Sequence, residues 1–140
     1  MNTNNVDMAA LLLRLGLGIM FIAHGLLKIM VFTLPGTVQF FESVGFPGFM
    51  AYLVTYAEII GGVLLIAGVY TRWVALALVP VLLGAVYVHF GSGWLFTNAN
   101  GGWEYPAFLT VAALVQALLG SGKYVVPMPF VKQATAAQTA

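Results

Sequence analysis

The sequence predicts an all-α integral membrane protein: a four-helix bundle with a short interfacial helix between spans one and two. Two observations carry this. Of 140 residues, 61% are hydrophobic and 6% charged, against roughly 25% charged in an ordinary soluble domain, which excludes a water-facing globule. The apolar residues also collect in four long stretches. Four spans of about 20 residues each consume most of the chain and leave short loops and two small tails, so a single membrane domain over residues 1–140 is expected.

Span one runs from about Met8 to Met30, with Asp7 placed to cap its N-terminus and favour its dipole. The preceding MNTNNVD lacks the basic n-region and small-residue cleavage site of a signal peptide, so span one is expected to be retained. In the segment after it, Val38, Phe41 and Val44 are spaced three apart, and Gly45 and Pro47 follow as stop signals. Residues 37–44 therefore read as a short helix lying on the membrane surface.

Span two covers about 49–68 and span three about 72–90, joined by a turn so tight that the two must form an antiparallel hairpin. Pro80, inside span three, is tolerated in a bundle and can bend the helix. The uncharged loop GSGWLFTNANGG is a flexible cap with Trp94 and Trp103 as interface anchors. Span four covers about 103–119, and a short polar tail occupies 123–140. Arg14, Arg72, Lys123 and Lys132 fall on the side shared by both termini, with Lys28 alone on the other. The positive-inside rule then places both termini in the cytoplasm.

The absence of cysteine removes disulfides, thiolate nucleophiles, Cys-ligated zinc and iron–sulfur clusters. A net charge of +1 without clustered Lys or Arg excludes a nucleic-acid partner. Function must therefore sit in the few polar groups at membrane depth. In span one, Arg14, Gly18, Phe21, Gly25 and Lys28 follow at spacings of four, three, four and three, a single stripe on one helical face. It is cationic, and its glycines allow another helix to approach closely. A structural reading is equally available, in which Arg14 and Lys28 snorkel to opposite surfaces.

Glu58 falls near the middle of span two, where an ionised carboxylate must be paired, protonated or facing a polar cavity. Arg14 is the expected partner. The Arg14–Glu58 pair either fixes helix register and does no chemistry, or leaves Glu58 to titrate or to hydrogen-bond a ligand.

A second group gathers near the other surface: His24 and Lys28, Tyr87 and His89, and Trp103, Glu104 and Tyr105. An aromatic belt and a Glu104 that favours its helix dipole would account for part of it. A polar mouth on an apolar bundle also suits an amphipathic ligand with a polar head and an isoprenoid tail. A quinone has that form, and its carbonyls require donors such as His, Lys or Tyr. The expected ligand-binding set is His24, Lys28, Glu58, Tyr87, His89, Trp103 and Glu104, and no catalytic residue is assigned. His24 lies some 9 Å deeper than His89 at 1.5 Å per residue, which disfavours bis-His haem. No spacing signature supports a metal at His24, His89 and Glu104.

The strings RLGLGIMFIAHGLLKI (Arg14–Ile29), FFESVGFP, AEIIGGVLLIAGVYTR (Ala57–Arg72), GGWEYP and LLGSGKY resemble the DoxX family of four-span bacterial membrane proteins, over about residues 8–126. The most specific parts are Glu58, Gly61, Gly62, Thr71 and Arg72, and the Gly-Gly-Trp-Glu that opens span four. The family pattern falls on Arg14, Gly25, Lys28, Glu58, Gly62, Arg72, Gly102 and Glu104. The resemblance implies a multi-pass bundle in the bacterial cytoplasmic (inner) membrane. It also implies links to quinone-coupled oxidoreductases and to soluble redox partners, and it secures fold better than reaction.

Three functions follow as expectations. The first is a membrane subunit of an oxidoreductase system that binds a quinone or small redox substrate, with His24 or Lys28 donating to a carbonyl and Glu58 or Glu104 exchanging protons. No covalently held cofactor is implied, so electrons would come from a partner or from the substrate. The second is a non-catalytic scaffold that recruits soluble redox enzymes. The third, a small-molecule transporter, is disfavoured because span one carries cations where small multidrug exporters carry a carboxylate. Lipid is a partner in every case, and the small-residue faces of spans one and two would permit a homo-oligomer while serving the bundle equally well.

Overall fold

The computed structural model describes residues 2–127. Lys132 and the rest of the polar tail lie outside the described residues. Among those described, the chain forms five helices and no strand: α1 (Thr3–Met30), α2 (Leu34–Ser43), α3 (Phe49–Ala67), α4 (Thr71–Phe90) and α5 (Glu104–Leu119). Helices α1, α3 and α4 are long and apolar enough to cross a membrane, whereas α5 is apolar but has only 16 residues. Large apolar side chains such as Leu12, Ile19, Leu53, Trp73, Phe108 and Leu118 point outward, as a lipid-facing surface requires.

The first helix begins earlier than the hydropathy suggests. Asn2 is its cap, its side chain accepting from the Asn4 amide at 3.1 Å, so Asp7 lies inside the helix and does not cap it. The Asp7 carbonyl instead accepts from the Lys123 amide. The turn into α2 passes through Thr33 at φ 62°, a left-handed conformation that strains a β-branched residue. The Thr33 hydroxyl accepts from the Gly36 amide and caps α2, and Pro35 occupies its first turn. Gly68, left-handed at φ 75°, ends α3 and starts the tight turn into α4.

Helix α1 packs on α3, and α4 on α5. The α1–α3 contact is backbone on backbone. A Cβ on Gly18 would lie 2.8 Å from the Gly62 carbonyl oxygen, and one on Gly62 would lie 2.7 Å from that of Gly18. Gly25 meets Thr55 and Ile59 in the same antiparallel register. That register sets Glu58 level with His24, and Arg14 level with Gly68. The two helix pairs close on a buried apolar core that includes Leu17, Phe21, Leu65, Leu78, Leu82 and Ala113. The core fills the half of the bundle nearer the termini, and the opposite half is hollow.

Candidate functional site

The hollow half holds a partly open cavity of about 740 Å³. Its walls come from both helix pairs: Met20 and Phe21 of α1, Met50 and Val54 of α3, Pro80, Val81 and Gly84 of α4, and Pro106 and Leu109 of α5. Helix α2 closes one side with Phe40 and Phe41, helped by Val44 and Phe46. Thr37 pins α2 in place, being buried and donating to the carbonyls of Lys28 at 3.1 Å and Thr33 at 2.9 Å. Against these apolar walls stand five polar side chains: His24, Lys28, Glu58, His89 and Tyr105.

Glu58 does not pair with Arg14, contrary to the sequence expectation. Both its carboxylate oxygens accept from Lys28 Nζ, at 2.9 and 2.7 Å. Helix geometry explains the exchange of partners. Arg14 and Lys28 lie about 21 Å apart along α1, and the glycine register brings the far end of α1 to Glu58. Helical side chains lean toward their own N-terminus, so Lys28 leans back along α1 toward the level of Glu58. Glu58 is 6% exposed, and the ammonium supplies the countercharge that burial demands.

Arg14 is fully buried and serves elsewhere. Its Nη1 donates to the Leu65 and Ile66 carbonyls at 3.1 and 2.6 Å, and its Nη2 to those of Lys123 and Tyr124 at 2.6 Å each. The guanidinium thus caps the negative end of the α3 dipole and ties down the segment after α5. No carboxylate is among these partners. Four carbonyl oxygens and the helix end offset its charge, while Nε has no hydrogen-bond partner among the described residues.

Each cavity histidine is fixed by one ring nitrogen. His24 Nδ1 lies 2.8 Å from the Met20 carbonyl oxygen, and His89 Nδ1 lies 2.9 Å from that of Asn100. A carbonyl can only accept, so Nδ1 carries a proton in both rings, and in the neutral form of each ring Nε2 keeps a lone pair. In the neutral form His24 offers a ligand an acceptor at Nε2, since the Met20 carbonyl holds its Nδ1 proton. The His24 ring stacks on Tyr105, with centroids 6.3 Å apart and planes 30° from parallel.

Of the seven residues expected to bind ligand, His24, Lys28, Glu58 and His89 line the cavity. Tyr87, Trp103 and Glu104 are not among its lining residues. Tyr87 is exposed and meets Phe46 edge-on. Trp103 packs against Trp94 and Phe90. One oxygen of Glu104 accepts from the Phe96 amide at 2.8 Å, which ties the 91–103 loop to the start of α5. Tyr105 and the phenylalanines of α2 join the site instead. Of the apolar face marked by the spacing of Val38, Phe41 and Val44, Phe41 and Val44 line the cavity.

The DoxX family pattern matches residues 9–91, more than half of the chain. The chain belongs to the DoxX family. A Bacillus subtilis (strain 168) relative named "Putative oxidoreductase CatD" is 38% identical over 125 residues, 89% of this chain and 88% of that protein. The Escherichia coli (strain K12) "Inner membrane protein YqjF" is 31% identical over 120 residues, 84% of this chain and 88% of its own length. No solved structure matches. Of the residues on which the DoxX resemblance falls, Arg14 and Gly62 lie in the contact between α1 and α3, Lys28 and Glu58 form the charged part of the cavity wall, and Glu104 fastens a loop.

In chemical terms the cavity offers a large apolar volume, aromatic faces, two imidazoles and an ammonium. Lys28 uses two of its N–H groups on Glu58, and the third remains for a ligand oxygen.

Proposed function

We propose that this DoxX protein is a multi-pass protein of the bacterial inner membrane, with both termini cytoplasmic, that binds a quinone or a similarly built small redox substrate in its cavity as the membrane subunit of an oxidoreductase system. One observation carries the reading: a cavity of about 740 Å³ with apolar and aromatic walls and a small convergent set of polar groups. Ligand sites typically have this volume and this division of labour. A flat aromatic head with an apolar tail suits such walls, and the third N–H of Lys28 suits its oxygen. The names of the two relatives, an oxidoreductase and an inner membrane protein, point the same way.

The bound redox ligand would supply the electron chemistry, and the chain's own residues would position it and handle protons. Lys28 and Glu58 place a neutralised ion pair against the cavity, so a ligand oxygen meets a donor without an uncompensated charge. In its neutral form His24 has one basic nitrogen, Nε2, to take a proton. Electrons would pass between the ligand and a soluble redox enzyme docked on the membrane.

The test is to purify the full chain in mild detergent, extract its lipids and compare recovered quinone with that from Gly84→Leu. Quinone recovered from the wild type and depleted in the variant supports the reading. No quinone in the wild type, together with no thermal shift on adding decylubiquinone, overturns it in favour of a non-catalytic scaffold.

A further inference from the structure

We propose that the cavity prefers the reduced, hydroxyl-bearing form of its ligand, a quinol, over the oxidised carbonyl form. The inference rests on the cavity reading above and deepens it. The imidazole tautomers carry the argument. Because Met20 and Asn100 carbonyls hold the Nδ1 protons of His24 and His89, each ring in its neutral form keeps only an acceptor, Nε2, for a ligand. Glu58 is likewise an acceptor, but Lys28 engages both its oxygens.

A quinone carbonyl carries lone pairs and no proton, so opposite Nε2 it meets another lone pair, and both lose the water that satisfied them. A quinol hydroxyl donates to Nε2 and at the same oxygen accepts the third N–H of Lys28. His24 and Lys28 lie one helical turn apart on α1, so one hydroxyl can serve both. Sites built to hydrogen-bond a hydroxyl discriminate strongly against the analogue that lacks it, because the site's own polar group is then left unpaired. The stacked Tyr105 ring holds the His24 imidazole in place.

The experiment uses the detergent-purified full chain without oxygen, titrated separately with decylubiquinone and decylubiquinol and followed by calorimetry. The quinol is expected to bind about tenfold more tightly, the scale of one well-made hydrogen bond. A tenfold preference raises the midpoint potential of the bound two-electron couple by about 30 mV. His24→Phe keeps a ring against Tyr105 and removes the acceptor, so it should erase the quinol preference and bring the two affinities together. Equal affinities, or tighter binding of the quinone, would overturn the proposal while leaving the cavity reading intact. Binding of neither form would defeat both. If His24→Phe does not fold, the wild-type comparison still decides, and His89→Phe tests the second acceptor.

Discussion

Glu58 and Lys28, thirty positions apart in the chain, share a bidentate ion pair at 2.7 and 2.9 Å in the wall of the cavity. With Glu58 6% exposed, removing one partner strands the other. Lys28→Met, which keeps most of the stem volume, should destabilise the fold by on the order of 3 kcal/mol. Adding Glu58→Met should recover most of that loss, because a well-packed apolar pair can replace a buried ionic one. Thermal unfolding in detergent of the two single variants and the double variant measures this. A double variant no better than Lys28→Met would show that the pair is not coupled.

Arg14 and Glu58 should behave independently. Arg14 spends its N–H groups on carbonyls of Leu65, Ile66, Lys123 and Tyr124, and it lies about 21 Å along α1 from Lys28, the residue that binds Glu58. Stability losses from Arg14→Met and Glu58→Gln should therefore add to within about 0.5 kcal/mol. Arg14→Lys should free the segment after α5, since one ammonium cannot fork onto two pairs of carbonyls. Faster limited proteolysis after Gly120, with the helices still protected, is the expected signature.

The glycines of α1 make a sharper contrast. Gly18→Ala drives a methyl to 2.8 Å from the Gly62 carbonyl oxygen, and Gly62→Ala drives one to 2.7 Å from that of Gly18. Backbone cannot step aside as a side chain can, so each should separate α1 from α3 and cost about 1–3 kcal/mol. Gly16 has nothing within 4 Å of a built Cβ, and Gly16→Ala should stabilise by up to about 1 kcal/mol through helix propensity. Melting temperatures of the three variants relative to wild type give the order directly.

These cases also mark how far the sequence was legible. The helices could be read because each apolar run stops at a residue with a physical reason to stop it, such as Gly45 before Pro47, or Gly68 in the left-handed region. The start of α1 was misplaced because Thr3–Asp7 is polar yet helical, and Asn2 serves as cap as well as Asp7 could have done. The small-residue stripe of α1 was visible, but which turn of α3 it meets is a property of the packed pair. That unseen register decided whether Glu58 would find Arg14 or Lys28. The histidines stood out as rare polar residues, whereas their tautomers depend on carbonyls that only the folded chain brings to Nδ1. Glu104 and Trp103 stood out for the same rarity, and the fold uses them to fasten a loop.

Gly84 gives the cleanest access to the cavity itself. It lies on α4 in the cavity wall, and a Cβ built there meets nothing within 4 Å. Gly84→Leu therefore grows a side chain into empty space rather than into neighbouring atoms. Loss of a glycine from a helix interior favours folding by up to about 1 kcal/mol, and burying new apolar surface adds to that. The variant should consequently melt at or above the wild-type temperature while losing bound ligand, measured as quinone recovered per mole of protein. Most substitutions that abolish binding also weaken the fold, which leaves the cause ambiguous. Here the two effects have opposite signs, so a stabilised protein that retains its ligand would place the binding site outside this cavity.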